Sequence, residues 1–253
     1  MKHFAVIQHS YSEFLGTLEA QLEKRAISYS YFRVFLNQEL PSSALTFDAL
    51  FLLGGPMSPL ETDKYPWLTQ ELQTIAAFRK ADRPVVGFGL GGLLLAQYEG
   101  AQLQLEPYHN AYFTTAHLGP AGKGDVLAEA VAGRKVMVWA PGTAILPPGK
   151  EALLVDDAGR WIAFRPDAGS MSLLFRPEMK PGLIEDILME EDREVPEHIG
   201  ELLEEARRLW PEMQQTTDQT LVALVRELSL MSERRKPRVF ALKVDTGGDG
   251  SAT

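Results

Sequence analysis

The stretch VVGFGLGGLLLA, residues 85–96, decides the fold. With Pro84 it opens on a short apolar run up to Phe88, the pattern of a strand buried on both faces. Residues 90–98 then read as a helix. Gly87, Gly89, Gly91 and Gly92 crowd the junction. A sharp strand-to-helix turn lifts one side chain above the sheet edge and aims backbone N–H groups at the same point. Gly89 holds that crest position, so the turn is built like a nucleophile's socket and carries no nucleophile.

Working outward, the same alternation recurs. Residues 4–8 (FAVIQ) predict a buried strand, and Leu15, Leu18 and Leu22 share one face of a helix over 15–24. Residues 29–35 and 47–53 are further strands, the latter ending in Gly54-Gly55-Pro56. Residues 67–80 are helical, with Leu68, Leu72, Ile75 and Phe78 in register. Strands joined by crossover helices predict an α/β fold: a central, mainly parallel sheet flanked by helices, with sites at the carboxyl ends of its strands. From 111 to 175 the pattern changes to short runs at 135–139, 152–155, 161–164 and 172–175, read as a more antiparallel section returning to the main sheet. Residues 184–205 are strongly acidic and read as a solvated helical face. Helical spacing appears at 199–210 and again at 221–230, giving two C-terminal helices expected to pack on the body. The expected organisation is one domain over 1–190, a helical appendage over 191–236, and a tail over 237–253 whose end is disordered.

The 253 residues carry a net charge of −9, which argues against nucleic acid as a partner, because phosphate contacts need a basic surface. There is no cysteine, so disulfides and thiol nucleophiles are excluded. The five histidines show no metal-ligand spacing, and neither metal nor cofactor is expected. No apolar run is long enough to span a bilayer and no signal peptide is evident, so the expected location is cytoplasmic.

Several stretches together resemble the class I glutamine amidotransferases, in particular stand-alone members similar to the GMP synthase glutaminase domain. These are the loop Gly54–Ser58, the Tyr65-Pro66-Trp67-Leu68 run, residues 84–96, the opening VIQHS with Gly16, the segment from Trp139 to Pro147, Ala163-Phe164-Arg165, and Leu174 to Glu178. The resemblance covers roughly residues 1–190 in order and implies a flavodoxin-like sheet. It also implies a cysteine thiolate at the turn, a histidine that moves the proton, a glutamate that orients the histidine, and backbone N–H groups that hold the oxyanion.

This chain departs from that pattern at most of the positions that carry the chemistry. The cysteine position is Gly89, the histidine position is Arg176, and only Glu178 survives of the triad. Nearby polar positions are Leu93, Leu174, Ala140 and Gly142. Arginine stays protonated and cannot act as a general base. What persists is the backbone of the oxyanion hole, Gly55 and Leu90, with Arg176 either pairing Glu178 or offering a positive charge to a small anion or amino-acid ligand. Three readings follow. The chain is a catalytically inactive amidotransferase-like protein that binds a protein partner or serves as a regulatory subunit. Alternatively it is a small-molecule or anion sensor using the vestigial pocket, or an enzyme of altered chemistry. A homodimer through a sheet edge or the C-terminal helices is open. His9 and Ser10 are expected at the end of the first strand, near the site. His109 and His117 lie in a loop-rich section from which they could reach the cleft. Ser58 has no evident base beside it, and Arg234-Arg235-Lys236 reads as a solvated helix end.

Overall fold

A computed structural model describes residues 2–104, 111–190 and 194–232. His109, the basic run 234–236 and the tail lie outside the described residues. Strand β1 (Lys2–Gln8) leads through helix α1 (Thr17–Glu23) to β2 (Ile27–Arg33), then β3 (Ala49–Leu52), α2 (Trp67–Lys80), β4 (Val85–Phe88) and α3 (Leu90–Tyr98). Next come β5 (Gln102–Gln104), β6 (Ala111–Thr115), β7 (His117–Leu118), α4 (Val126–Val131), β8 (Lys135–Trp139) and β9 (Thr143–Ile145). The chain continues through β10 (Ala152–Val155), β11 (Trp161–Phe164), β12 (Ser170–Leu173), α5 (Pro181–Met189) and α6 (Ile199–Glu227).

An eight-stranded sheet runs in the order β2-β1-β3-β4-β12-β11-β10-β7. Its first five strands are parallel, while β11, β10 and β7 are antiparallel to their neighbours. The expected mainly parallel sheet with an antiparallel section is therefore what the chain forms. Two small pairs, β5 with β9 and β6 with β8, stand apart from it.

Side chains alternate between two cores, as strand geometry requires. Phe4 and Val6 of β1, Phe51 of β3 and Val86 and Phe88 of β4 join one core with Leu18 of α1, Leu127 of α4 and Leu221 of α6. Ala5, Ile7, Leu50, Leu52 and Val85 face the other, against Leu68, Ile75 and Phe78 of α2 and Leu94 of α3. This sandwich fixes the carboxyl ends of β1, β3 and β4 side by side.

Beyond shifts of one or two residues at the ends of β1, α1 and β3, three differences from the sequence reading stand out. The second strand ends at Arg33, the partner of Gln8, the last residue of β1; Val34–Leu36 then turns as a 3-10 helix. The last sheet strand is β12, at Ser170–Leu173 and not 172–175, because Ser170 and Ser172 are buried polar members of it. Ser172 satisfies its hydroxyl by donating to Gly92 O at 2.8 Å. The two expected C-terminal helices are one, α6, which runs through Pro211.

Candidate functional site

The site begins at the turn between β4 and α3. Gly89 has φ 54° and ψ −113°, a conformation that L side chains rarely adopt and glycine adopts freely. Its N–H donates to Leu173 O at 2.8 Å, and Gly91 N–H donates to Leu53 O at 3.1 Å, so the turn is tied to both neighbouring strands. Gly91 lies against the Leu52 backbone more closely than any Cβ would permit, which lets α3 lie close over the sheet.

Arg176 occupies the space above the turn. A Cβ on Gly89 would stand 2.7 Å from Trp139 O and 3.0 Å from the Arg176 Cδ. The guanidinium covers Gly54 so closely that a Cβ there would overlap it. Arg176 is 3% exposed, and its backbone N–H donates to Met137 O at 2.8 Å. Its Nε donates to Glu178, and its Nη1 donates to Glu13 at 3.1 Å and to Trp139 O at 3.5 Å. Both carboxylates are as buried as the arginine. Burial opposes the charge on Arg176, but Glu178 and Glu13 outweigh it and hold the arginine protonated. Burial pushes Glu178 above the usual carboxylate range, and Arg176 only partly offsets this. The guanidinium, held protonated, cannot take up a proton from a nucleophile.

A second buried pair lies alongside. His9 follows β1, as expected, and Glu71 comes from the middle of α2; both side chains are fully buried. His9 Nδ1 lies 2.8 Å from Gly54 O, and Nε2 lies 3.0 Å from Glu71 Oε2. A carbonyl only accepts, so Nδ1 carries a hydrogen, and one further proton is shared between Nε2 and the Glu71 carboxyl. Burial lowers the His9 pKa, but the charge and hydrogen bond of Glu71, with the Gly54 carbonyl, raise it overall. His9 is thus a strut between the Gly54 loop and α2.

Gly55 and Leu90 meet at the same corner, since a Cβ on Gly55 would stand 2.5 Å from Leu90 Cδ2 and 2.8 Å from His9 Cβ. The fold therefore brings together Gly89, Arg176, Glu178, Gly55 and Leu90. Leu93, Leu174 and Ala140 are buried core residues. Ser58 is a turn residue whose hydroxyl accepts from Leu60 N–H at 3.2 Å. His117 sits on β7, four strands from β4 and so about 19 Å away at sheet spacing; it bonds Asp157 at 2.7 Å and does not reach the cleft. Glu13 and Glu71 were not singled out from the sequence. Glu71 left one trace: it falls in the apolar stripe of α2, three residues after Leu68 and four before Ile75. Glu13 left none.

Among the described residues no cluster of His, Cys, Asp and Glu could hold a metal, and no helix is long and apolar enough to cross a membrane. No protein-family model matches the chain. The glutamine amidotransferase-like protein YfeJ of Salmonella typhimurium is 33% identical over 108 residues, which are 42% of this chain and 44% of that one. The chain thus matches less than half the length of that relative. A glutamine amidotransferase of Methylobacillus flagellatus superposes with a TM-score of 0.75 at 20% identity, covering 90% of this chain and 96% of that one. A glutamine amidotransferase of Thermotoga maritima gives a TM-score of 0.72 at 22% identity, covering 90% and 98%. The chain has the class I glutamine amidotransferase-like fold.

Proposed function

We propose that this chain is a catalytically silent glutamine amidotransferase-like protein that works by binding, as a partner-binding or regulatory subunit. The observation that carries the reading is the position of Arg176. Its side chain fills the space above Gly89 and covers Gly54, where a thiolate and the amide under attack would have to meet. Two buried glutamates hold it there. Covalent amide hydrolysis needs a nucleophile, a base and open space beside the oxyanion donors; the filled elbow speaks against all three. The fold, its rigid elbow and its surface remain available to a partner.

The test has two parts. Purified protein incubated with glutamine is expected to release no ammonia above the uncatalysed rate. Native mass spectrometry of the protein drawn gently from its own host is expected to show a stable protein complex. Robust glutaminase turnover would sink the silent reading, and a bare monomer in the native lysate would sink the partner reading.

One observation favours the sensor reading. Arg176 Nη2 is buried with no hydrogen-bond partner, and the Leu90 N–H at the head of α3 is one of a helix's open donors. An anion between them would satisfy both, but only if the guanidinium swings off Gly54. A chloride or glutamine titration that moves Arg176 resonances would favour this reading over the partner reading.

A further inference from the structure

Away from the elbow, the carboxyl ends of β1 and β2 border a cavity of about 460 Å³. This is the end of an α/β sheet at which ligands bind, and the volume falls within the roughly 300–1,000 Å³ usual for small-molecule sites. Its walls include Tyr31 and Arg33 of β2, Glu19 of α1, Tyr11 and Phe14 from the loop after β1, and Phe35. The fold holds these walls in place. The Tyr31 hydroxyl donates to Glu19 Oε1 at 2.6 Å and accepts from Leu15 N–H at 3.0 Å. Gln8 Nε2 donates to Ser10 O at 2.8 Å and to Tyr11 O at 3.3 Å, which ties down the loop that carries Tyr11. The Arg33 N–H donates to Gln38 Oε1 at 2.8 Å, and Arg33 O accepts from Gln38 N–H at 3.3 Å. Tyr11 and Phe35 meet edge-on, with ring centroids 4.6 Å apart.

Two opposite charges in these walls are not spent on the fold. The Arg33 guanidinium lies over the Tyr31 ring, 5.3 Å from its centroid, and makes no hydrogen bond or ion pair among the described residues. Glu19 spends Oε1 on the Tyr31 hydroxyl, and its Oε2 has no partner among the described residues. Both side chains are half-buried, so each keeps surface to offer the cavity they line. They do not pair with each other, because one sits at the hydroxyl of Tyr31 and the other over its ring. A simple anion would meet the carboxylate and a simple cation the guanidinium, whereas a zwitterion satisfies both. The rest of the wall is apolar. Tyr11 is 69% exposed, a large ring that the chain leaves uncovered, and it stands with Phe14 and Phe35 along the same cavity.

We infer that this cavity binds a free amino acid with a large apolar side chain, its carboxylate on the Arg33 fork, its ammonium on Glu19 Oε2 and its side chain against Tyr11, Phe14 and Phe35. The inference is independent of the reading given to the elbow. Arg33 ends β2, three strands from β4 and so roughly 14 Å away at sheet spacing, and a ligand at the elbow would answer to Arg176 instead.

Isothermal titration of the full chain with L-phenylalanine tests it, beside three probes that each lack one part: hydrocinnamate without the ammonium, phenethylamine without the carboxylate, and glycine without the side chain. Phenylalanine is expected to bind saturably, and each of the other three about tenfold more weakly. Arg33→Gln is expected to weaken phenylalanine about tenfold and to leave phenethylamine as it was. Glu19→Gln keeps an acceptor for the Tyr31 hydroxyl; it is expected to weaken phenylalanine about tenfold and to leave hydrocinnamate as it was. A loss of structure would weaken every probe alike, so the crossed pattern separates recognition from folding. No saturable heat with phenylalanine, equal affinity for phenylalanine and the three partial probes, or undiminished phenylalanine binding in either variant overturns the inference.

Discussion

Gly89 and Arg176 are coupled by space as well as by sequence. The backbone at Gly89 keeps the strained shape of an elbow, and a side chain there would cost about 1–3 kcal/mol in conformation alone. Glycine removes that strain, and the Arg176 side chain takes the vacated volume. Gly89→Cys is therefore expected to destabilise the fold by about 2–4 kcal/mol, adding the clash with Trp139 O and Arg176 Cδ to the strain. In a double-mutant cycle with Arg176→Ala the two losses should fall short of additive by about 1 kcal/mol, since trimming the arginine makes room for the thiol. Urea denaturation of the four proteins measures this; full additivity would place Arg176 elsewhere. The arginine also has a charge role. Arg176→Met leaves Glu13 and Glu178 buried beside one another without their cation, a loss expected to reach about 3–5 kcal/mol. Glu13→Gln and Glu178→Gln added to Arg176→Met should recover most of it, because no lone charge then remains. A triple variant as unstable as the single one would show that packing, not charge balance, sets the cost.

Among the elements, α6 departs furthest from its sequence reading. Pro211 lacks the N–H that would donate one turn back and crowds the carbonyl there, so a proline in this place reads as a helix boundary. The helix continues because its buried stripe does. Leu202, Leu203 and Ala206 before the proline and Met213, Thr217, Leu221 and Leu224 after it all lie against the body, while Pro211 itself faces solvent. Tertiary packing along 29 residues outweighs one missing bond. Pro211→Ala is expected to stabilise the protein by about 1–2 kcal/mol, less than the full interior penalty of about 3 because the helix has already adjusted around the ring. A rise in the urea midpoint checks it, and a loss of stability would mean that the proline ring itself contributes to the helix's packing. The register that joins the two halves was present in the sequence, but proline chemistry hid it. The same kind of masking moved β12: the polar Ser170 at its buried start hides where the strand begins, and the apolar residues from 173 to 175 draw the reading toward the carboxyl side. By contrast α2, α3, β8, β10 and β11 were legible to the residue, because period, length and flanking turn residues agreed. The elbow was legible through its company: glycines at a strand-to-helix junction also cradle phosphates or simply turn the chain, and it is the Gly54–Ser58 loop and the 174–178 segment beside them that single out this turn. The partners of Arg176 and His9 were only half legible, since Glu13 and Glu71 are distant in the chain and no local pattern links a buried charge to its counter-ion.

At the scale of the whole molecule, the ionisable groups divide the pH axis between them. The carboxyls of Asp48, Asp156 and Asp157 lie below their ordinary values despite the burial of the first two. Backbone hydrogen bonds and the Lys2 and Arg160 charges hold Asp48 and Asp156 down, and the His117 hydrogen bond pulls Asp157 to about 2. A lowered carboxyl lends stability that is present above its unfolded pKa, about 3.9, and is lost as pH falls through the folded value. His9 works in the opposite sense. Its folded pKa is raised, so its contribution is complete below the unfolded value of about 6.5 and is lost as pH rises through the folded one. Glu178, also raised, binds its proton more tightly in the folded protein and adds to the same loss, beginning above about 4.3. Two buried groups at the heart of the fold thus favour the protonated state, and stability should peak on the acid side of neutrality. The Tm, followed by circular dichroism at constant ionic strength, is expected to fall steadily from about pH 6 to pH 9. His9→Gln should lower the Tm at pH 6, where it removes an ion pair with Glu71, and should flatten the fall above it. A Tm that is level or rising over that range, or a slope unchanged in His9→Gln, would mean that the imidazole is neutral and that Glu71 carries the proton between them. The strut between the Gly54 loop and α2 would then be a neutral hydrogen bond, and the elbow would owe its rigidity to packing alone.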